Sequence, residues 1–127
     1  LDRSMQFFTR LGFSFDARFT DDKAACMVVS EGGIYVMLLV EAFFKTFTPK
    51  PVCDATQSTE VIVCLSRESR EAVDEMVRDA LLAGATTPRP AVDHGFMYQH
   101  GFQDLDGHLW ELMFMQPAAV TVGPEDV

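Results

Sequence analysis

Apolar and polar positions alternate most clearly between Phe102 and Met115, FQDLDGHLWELMFM. The pattern predicts two strands joined by a tight turn at Asp104-Leu105-Asp106-Gly107, with Gly107 free to take a positive φ and the Asp side chains able to accept from nearby amides. After the turn His108, Trp110, Leu112 and Phe114 fall on one face, and Leu109, Glu111, Met113 and Met115 on the other. Glu111 is a lone carboxylate among large apolar neighbours, and a charge taken out of water needs a partner or a purpose. It is the leading chemical candidate in the chain.

Residues 1–12 read as an amphipathic helix, with Leu1, Met5, Phe8 and Leu11 near one face and Gly12 as its stop. Strands are predicted over 13–19, 24–30 and 34–40, separated by polar or glycine-rich turns. Residues 41–58, carrying Phe43, Phe44, Phe47, Pro49 and Pro51, break the pattern and read as a connector whose aromatics either cover a cavity mouth or pin the linker. A strand over 59–65 precedes a helix over 69–83, where Val73, Met76, Val77, Ala80 and Leu81 recur at helical spacing before Gly84. A weak extended segment over 86–92 holds Pro88 and Pro90 and belongs at an edge. Strands over 96–103 and 108–115 follow, and the tail is expected to be loosely held.

The two halves repeat one order: a helix ending in Gly, then three strands with the tightest turn before the last. Gly33-Ile34-Tyr35-Val36-Met37 lies over Gly107-His108-Leu109-Trp110-Glu111. The second half adds a strand ahead of its helix; the first lacks it because the chain begins inside the helix. The expected fold is α+β, two tandem βαβββ modules in one domain, with module one at about 1–41, a connector at 42–58, module two at about 59–116 and a tail at 117–127.

Composition narrows the function classes. A chain of 127 residues suits one domain with a real core. A net charge of −9 repels phosphate backbones, so nucleic acid and anionic membrane are poor partners. The longest apolar run, 34–40, fits a strand and is far too short to span a bilayer. Three cysteines without CxxC spacing read as reduced, mostly buried thiols of a cytoplasmic protein, with no structural zinc and no visible signal peptide. Eleven Phe and seven Met make a bulky, pliable interior that suits a plain core or an apolar cavity.

The order of elements, with LDRSMQFFTRLGF at the front and FQDLDGHLWELMF at the end, resembles the vicinal oxygen chelate superfamily, which includes glyoxalase I, extradiol dioxygenases, and bleomycin- and fosfomycin-resistance proteins. IYVMLLVEAFFKTF, STEVIVCLS and GFMYQHGFQDLDGHLWE resemble its glyoxalase-related, lyase-like bacterial proteins. The resemblance implies a cup-shaped mixed sheet and a homodimer. It implies a divalent metal (Mn, Ni, Zn, Fe or Mg) held from the first and last strands of both modules, although some members bind ligands without metal. On that pattern Glu111 is the last-strand ligand of module two, or a catalytic base, and Glu60 is its first-strand ligand. The last-strand position of module one falls on Met37, or Leu38 with a one-residue shift, and neither donates an oxygen or nitrogen. The fourth position would precede Leu1.

Two functions follow. One is a metal-dependent lyase or isomerase with an incomplete site, in which Glu111 is ligand or base. The other is a metal-free protein that sequesters a small organic molecule. The candidate substrate contacts are Met37, Tyr98, His100 and Trp110. Tyr98 and His100 share a face, which either lines a cavity or points into packing. His108 and Glu111, three apart on a strand, point to opposite faces and do not share a metal. His94, in a loop, reads as solvated. No basic cluster is placed to hold the carboxylates of glutathione, and no glycine-rich phosphate loop is present.

Overall fold

The computed structural model describes residues 1–116, so the predicted tail at 117–127 lies outside the described residues. It is a mixed α+β fold with two sheets, and the chain divides into compact units between Asp54 and Ala55. No described helix is long and apolar enough to cross a membrane.

The unit Leu1–Asp54 opens with helix α1 (Asp2–Arg10), which has Asp2 in its first turn and Arg10 in its last, each complementing the helix dipole. Phe7, Phe8 and Leu11 are buried. Three antiparallel strands follow in the order β1 (Ser14–Phe15), β2 (Ala24–Ser30) and β3 (Ile34–Leu39). The strand expected over 13–19 is only two residues long. Thr20 explains the difference: its hydroxyl accepts from the Cys26 amide at 3.0 Å and donates to the Asp16 carbonyl at 2.7 Å, replacing ladder bonds with side-chain bonds. Asp16 then caps a 3₁₀ turn at Ala17–Phe19 by accepting from the Arg18 amide. The expected connector also has structure of its own, a single helical turn α2 (Glu41–Phe44) running into a 3₁₀ turn at Lys45–Phe47. Phe43 and Phe47 meet edge to face, and Phe44 and Phe47 are exposed.

In the second unit β4 (Ile62–Ser66) leads to α3 (Arg70–Leu82), then β5 (Val92–Asp93), β6 (Met97–Gln103) and β7 (Leu109–Met115). The sheet order is β4-β7-β6-β5, with β4 parallel to β7 and the other pairs antiparallel. The strand predicted over 59–65 therefore starts later, and the segment predicted over 86–92 shrinks to a lone Thr86–Gln103 bridge and the two residues of β5. Pro88 and Pro90 account for the shrinkage, since neither has an amide to give a ladder. Ser69 caps α3 through the Ala72 amide at 3.0 Å. Val73, Met76, Val77 and Ala80 are buried as their spacing predicts, whereas Leu81 is 42% exposed near the helix end.

Register fixes the two faces of this sheet. Tyr98, His100 and Phe102 share one face with Trp110, Leu112 and Phe114. That face meets α3: the Tyr98 hydroxyl donates to the Asp74 carboxylate, and Phe102, Trp110 and Leu112 are buried. The opposite face carries Ile62 and Cys64 on β4, Leu109, Glu111 and Met113 on β7, and Gln99 and Gly101 on β6, with no helix of this unit's described residues over it.

The α3 face has a pH signature. The bond to Asp74, then burial and the negative charge of Asp74 and Asp93, push the Tyr98 phenol up to about 12. The unfolded phenol ionises near 10, so the neutral form is the one the fold favours. This contribution to stability is present below pH 10 and is lost as pH rises toward 12. A near-ultraviolet absorbance titration should show a phenol ionising near 12 that Tyr98→Phe removes.

Candidate functional site

Glu111 occupies the middle of β7 on the face away from α3, half-buried. Its cross-strand neighbours are Cys64 on β4 and Gly101 on β6. Gly101 brings no side chain, and the strands run so close there that a Cβ would stand 2.5 Å from the Trp110 carbonyl oxygen. The carboxylate is therefore bare on the β6 side and flanked by a thiol on the β4 side. Burial, and next the Glu111 charge, push the Cys64 thiol up, which keeps it protonated near neutral pH. The Glu111 side chain makes no hydrogen bond or ion pair among the described residues.

A cavity of about 60 Å³ lies over this position. Ile62, Leu109, Glu111, Gly101 and Gln99 form its floor, and Pro88, Arg89, Pro90 and Val92 its wall. The wall is tied to the floor by Thr87, whose one hydroxyl hydrogen lies within reach of the carbonyls of Gly101 (2.8 Å) and Arg89 (3.1 Å). That hydrogen being committed to carbonyls, the 3.1 Å contact with His100 runs the other way, with Nε2–H of His100 donating to Thr87.

The structure separates the residues singled out from the sequence. Glu111 is on the open face. Tyr98, His100 and Trp110 belong to the α3 face, where Tyr98 bonds Asp74 and the Trp110 indole donates to Asp104 at 2.9 Å. His100 and Trp110 nonetheless border the cavity. Glu60 is exposed in a bend ahead of β4, off the strand expected to carry it. In the other unit Met37 pairs with Cys26 and is 46% exposed, while Leu38, one residue on, pairs with Ala25 on the opposite face. His108 and His94 are exposed, as their turn and loop positions suggest. Of the three thiols only Cys26 is buried; Cys53 and Cys64 are exposed, against the expectation of mostly buried cysteines. Arg89 went unrecognised in the sequence, although the two prolines beside it were read as marks of an edge segment. A charged residue between two prolines is a stiffened, displayed charge, and that signal was there to read.

Among the described residues, the donor set around Glu111 does not fit a divalent metal. Among the described residues no group of three or more His, Cys, Asp or Glu side chains is placed to hold one. Around Glu111 the strand neighbours offer a protonated thiol and a glycine, whereas a catalytic divalent site wants about three protein ligands. What the arrangement can do is accept hydrogen bonds from, and balance the charge of, a polar group entering an apolar-walled cavity.

No protein-family model matches the chain, and no curated protein matches it in sequence. Solved structures do match. A hypothetical protein from S. aureus is 25% identical with a TM-score of 0.75, covering 90% of this chain and 84% of that one. A glyoxalase/bleomycin resistance protein/dioxygenase family enzyme from Burkholderia phytofirmans PsJN is 15% identical with a TM-score of 0.72, covering 91% and 90%. A genomically encoded fosfomycin resistance protein from Listeria monocytogenes is 17% identical with a TM-score of 0.64, covering 93% and 86%.

Proposed function

We propose, from the premise that the chain has the glyoxalase/bleomycin resistance/dioxygenase fold of the vicinal oxygen chelate superfamily, that it binds a small organic molecule over Glu111 without needing a metal to hold it. One observation carries the reading: a half-buried carboxylate, unpaired among the described residues, at the centre of an open sheet face in a cavity lined by Ile62, Leu109, Pro88 and Pro90. A partly exposed carboxylate with no side-chain partner among the described residues is free to accept from a ligand donor, and a charge-assisted hydrogen bond is a strong one. In this reading the two compact units are the tandem halves of one glyoxalase-like domain, and the homodimer implied by the resemblance is retained. The lyase or isomerase reading, with Glu111 as metal ligand or base, requires donors that the described residues near Glu111 do not offer. Sequestration of the resistance type requires only the cavity and its anchor.

A simple amine tests the anchor. Titrated with pentylamine, the ¹⁵N-labelled protein should show amide shifts at Gly101, Leu109 and Glu111. Glu111→Gln keeps the shape and removes the charge, and should weaken binding about tenfold or more, the worth of one charge-assisted hydrogen bond. Equal affinity in the variant would remove Glu111 from the site.

A further inference from the structure

The geometry points to a zwitterionic ligand: a headgroup with an amine for Glu111 and an oxyanion, carboxylate or phosphonate, for Arg89. This builds on the cavity as a ligand site and adds the chemical class it takes. Two residues lining the cavity carry opposite charge, and neither side chain has a hydrogen bond or ion pair among the described residues. Arg18, Lys45, Arg67 and Arg70, by contrast, are each within 4 Å of a carboxylate oxygen. Arg89 differs from the other unpaired cations in bordering the cavity that holds Glu111.

The two charges are also tied to one point of the sheet. Gly101 pairs with Glu111 across the strands, and its carbonyl accepts the Thr87 hydroxyl that buckles down the Pro88-Arg89-Pro90 wall. Two prolines restrict the backbone on either side of Arg89, which holds its Cα at the cavity wall. A ligand with one charge would leave the other charge facing it unmatched, whereas a zwitterion satisfies both. A guanidinium presents a fork that suits carboxylate or phosphonate oxygens. The cavity of about 60 Å³ has room for a headgroup and not for a drug-sized molecule, so any apolar tail runs outward past Ile62, which is 52% exposed.

A matched set with one alkyl tail provides the test: norleucine, 1-aminopentylphosphonate, pentylamine and hexanoate, each titrated into the ¹⁵N-labelled full chain. At least one of the two zwitterions should bind about tenfold or more tighter than both single-charge probes, and the better one identifies the acid. Arg89→Gln should bring that zwitterion down to the level of pentylamine, and Glu111→Gln to the level of hexanoate, with the spectrum of each free variant reporting that it folds. Pentylamine shifting Gly101 and Glu111 while neither zwitterion binds tighter, or Arg89→Gln making no difference, overturns the zwitterion and leaves the ligand site standing. No probe shifting those amides overturns both.

Discussion

Asp104→Ala should cost about 3 kcal/mol or more of unfolding free energy, read as a lower urea midpoint. The Asp104 side chain is 7% exposed and serves three donors. Its Oδ1 accepts from the amides of Asp106 (2.9 Å) and His108 (3.0 Å), and its Oδ2 from the Trp110 indole at 2.9 Å. Backbone bonds from Asp104 N–H to the His108 carbonyl and from Gly107 N–H to the Asp104 carbonyl close the same turn. Removing the carboxylate takes away these three bonds at the edge of the core, and a buried hydrogen bond lost on one side costs about 1–3 kcal/mol. Asp104→Asn separates the parts. It keeps an oxygen for the two amides but turns an NH₂ toward the indole N–H, so a smaller loss of about 1–2 kcal/mol is expected. Because Trp110 is the sole tryptophan, its fluorescence follows the transition directly. The turn also sets the start of β7, so a loosened turn should disturb the position of Glu111 two residues beyond it.

The second large effect is at the other end of that turn. Gly107 has a φ of +95°, and a Cβ there would stand 2.8 Å from the Ala55 carbonyl oxygen and 2.9 Å from its carbon. Gly107→Ala therefore incurs two costs, about 1–2 kcal/mol for an L-residue at positive φ and about 1–3 kcal/mol for overlap with a backbone that has to move. Gly12→Ala is the control. Its φ is +103°, but nothing lies within 4 Å of the added Cβ, so only the conformational part applies. Urea denaturation should rank Gly107→Ala well above Gly12→Ala, and equal losses would show that the contact with Ala55 carries no energy.

How much was legible depended on how local the cause was. The buried stripe of α3, the alternation along β7 and the turn ending at Gly107 each arise from neighbours a few residues apart, and all appear where the pattern puts them. The separation of Trp110 from Glu111 was legible for the same reason, since strand parity decides it. Features set across the fold were not. Nothing near Thr20 announces that its hydroxyl will take the Cys26 amide and cut β1 short. Tyr98 and His100 could be assigned to one face, but which face meets α3 emerges only with the helix in place and Asp74 against Tyr98. Asp104 read as a turn residue; its hold on the Trp110 indole required the strand to be built. Arg89 lay in a segment dismissed as edge, and only the Thr87–Gly101 bond reveals that this segment walls a cavity. The resemblance to the superfamily is borne out at the level of the fold; of the positions it implied, Glu111 is on the open face and Glu60 lies ahead of β4.

The central claim is that the open face around Glu111 is a ligand site whose anchor is a carboxylate. Crystals of the full chain soaked with a library of small amines, acids and amino acids test it most directly. The account predicts fragments clustering in the cavity between Leu109 and the 88–90 segment, each with a donor on the Glu111 carboxylate. Maps with the cavity empty across the library, or with a metal held by Glu111 and two or more further protein ligands, would contradict it.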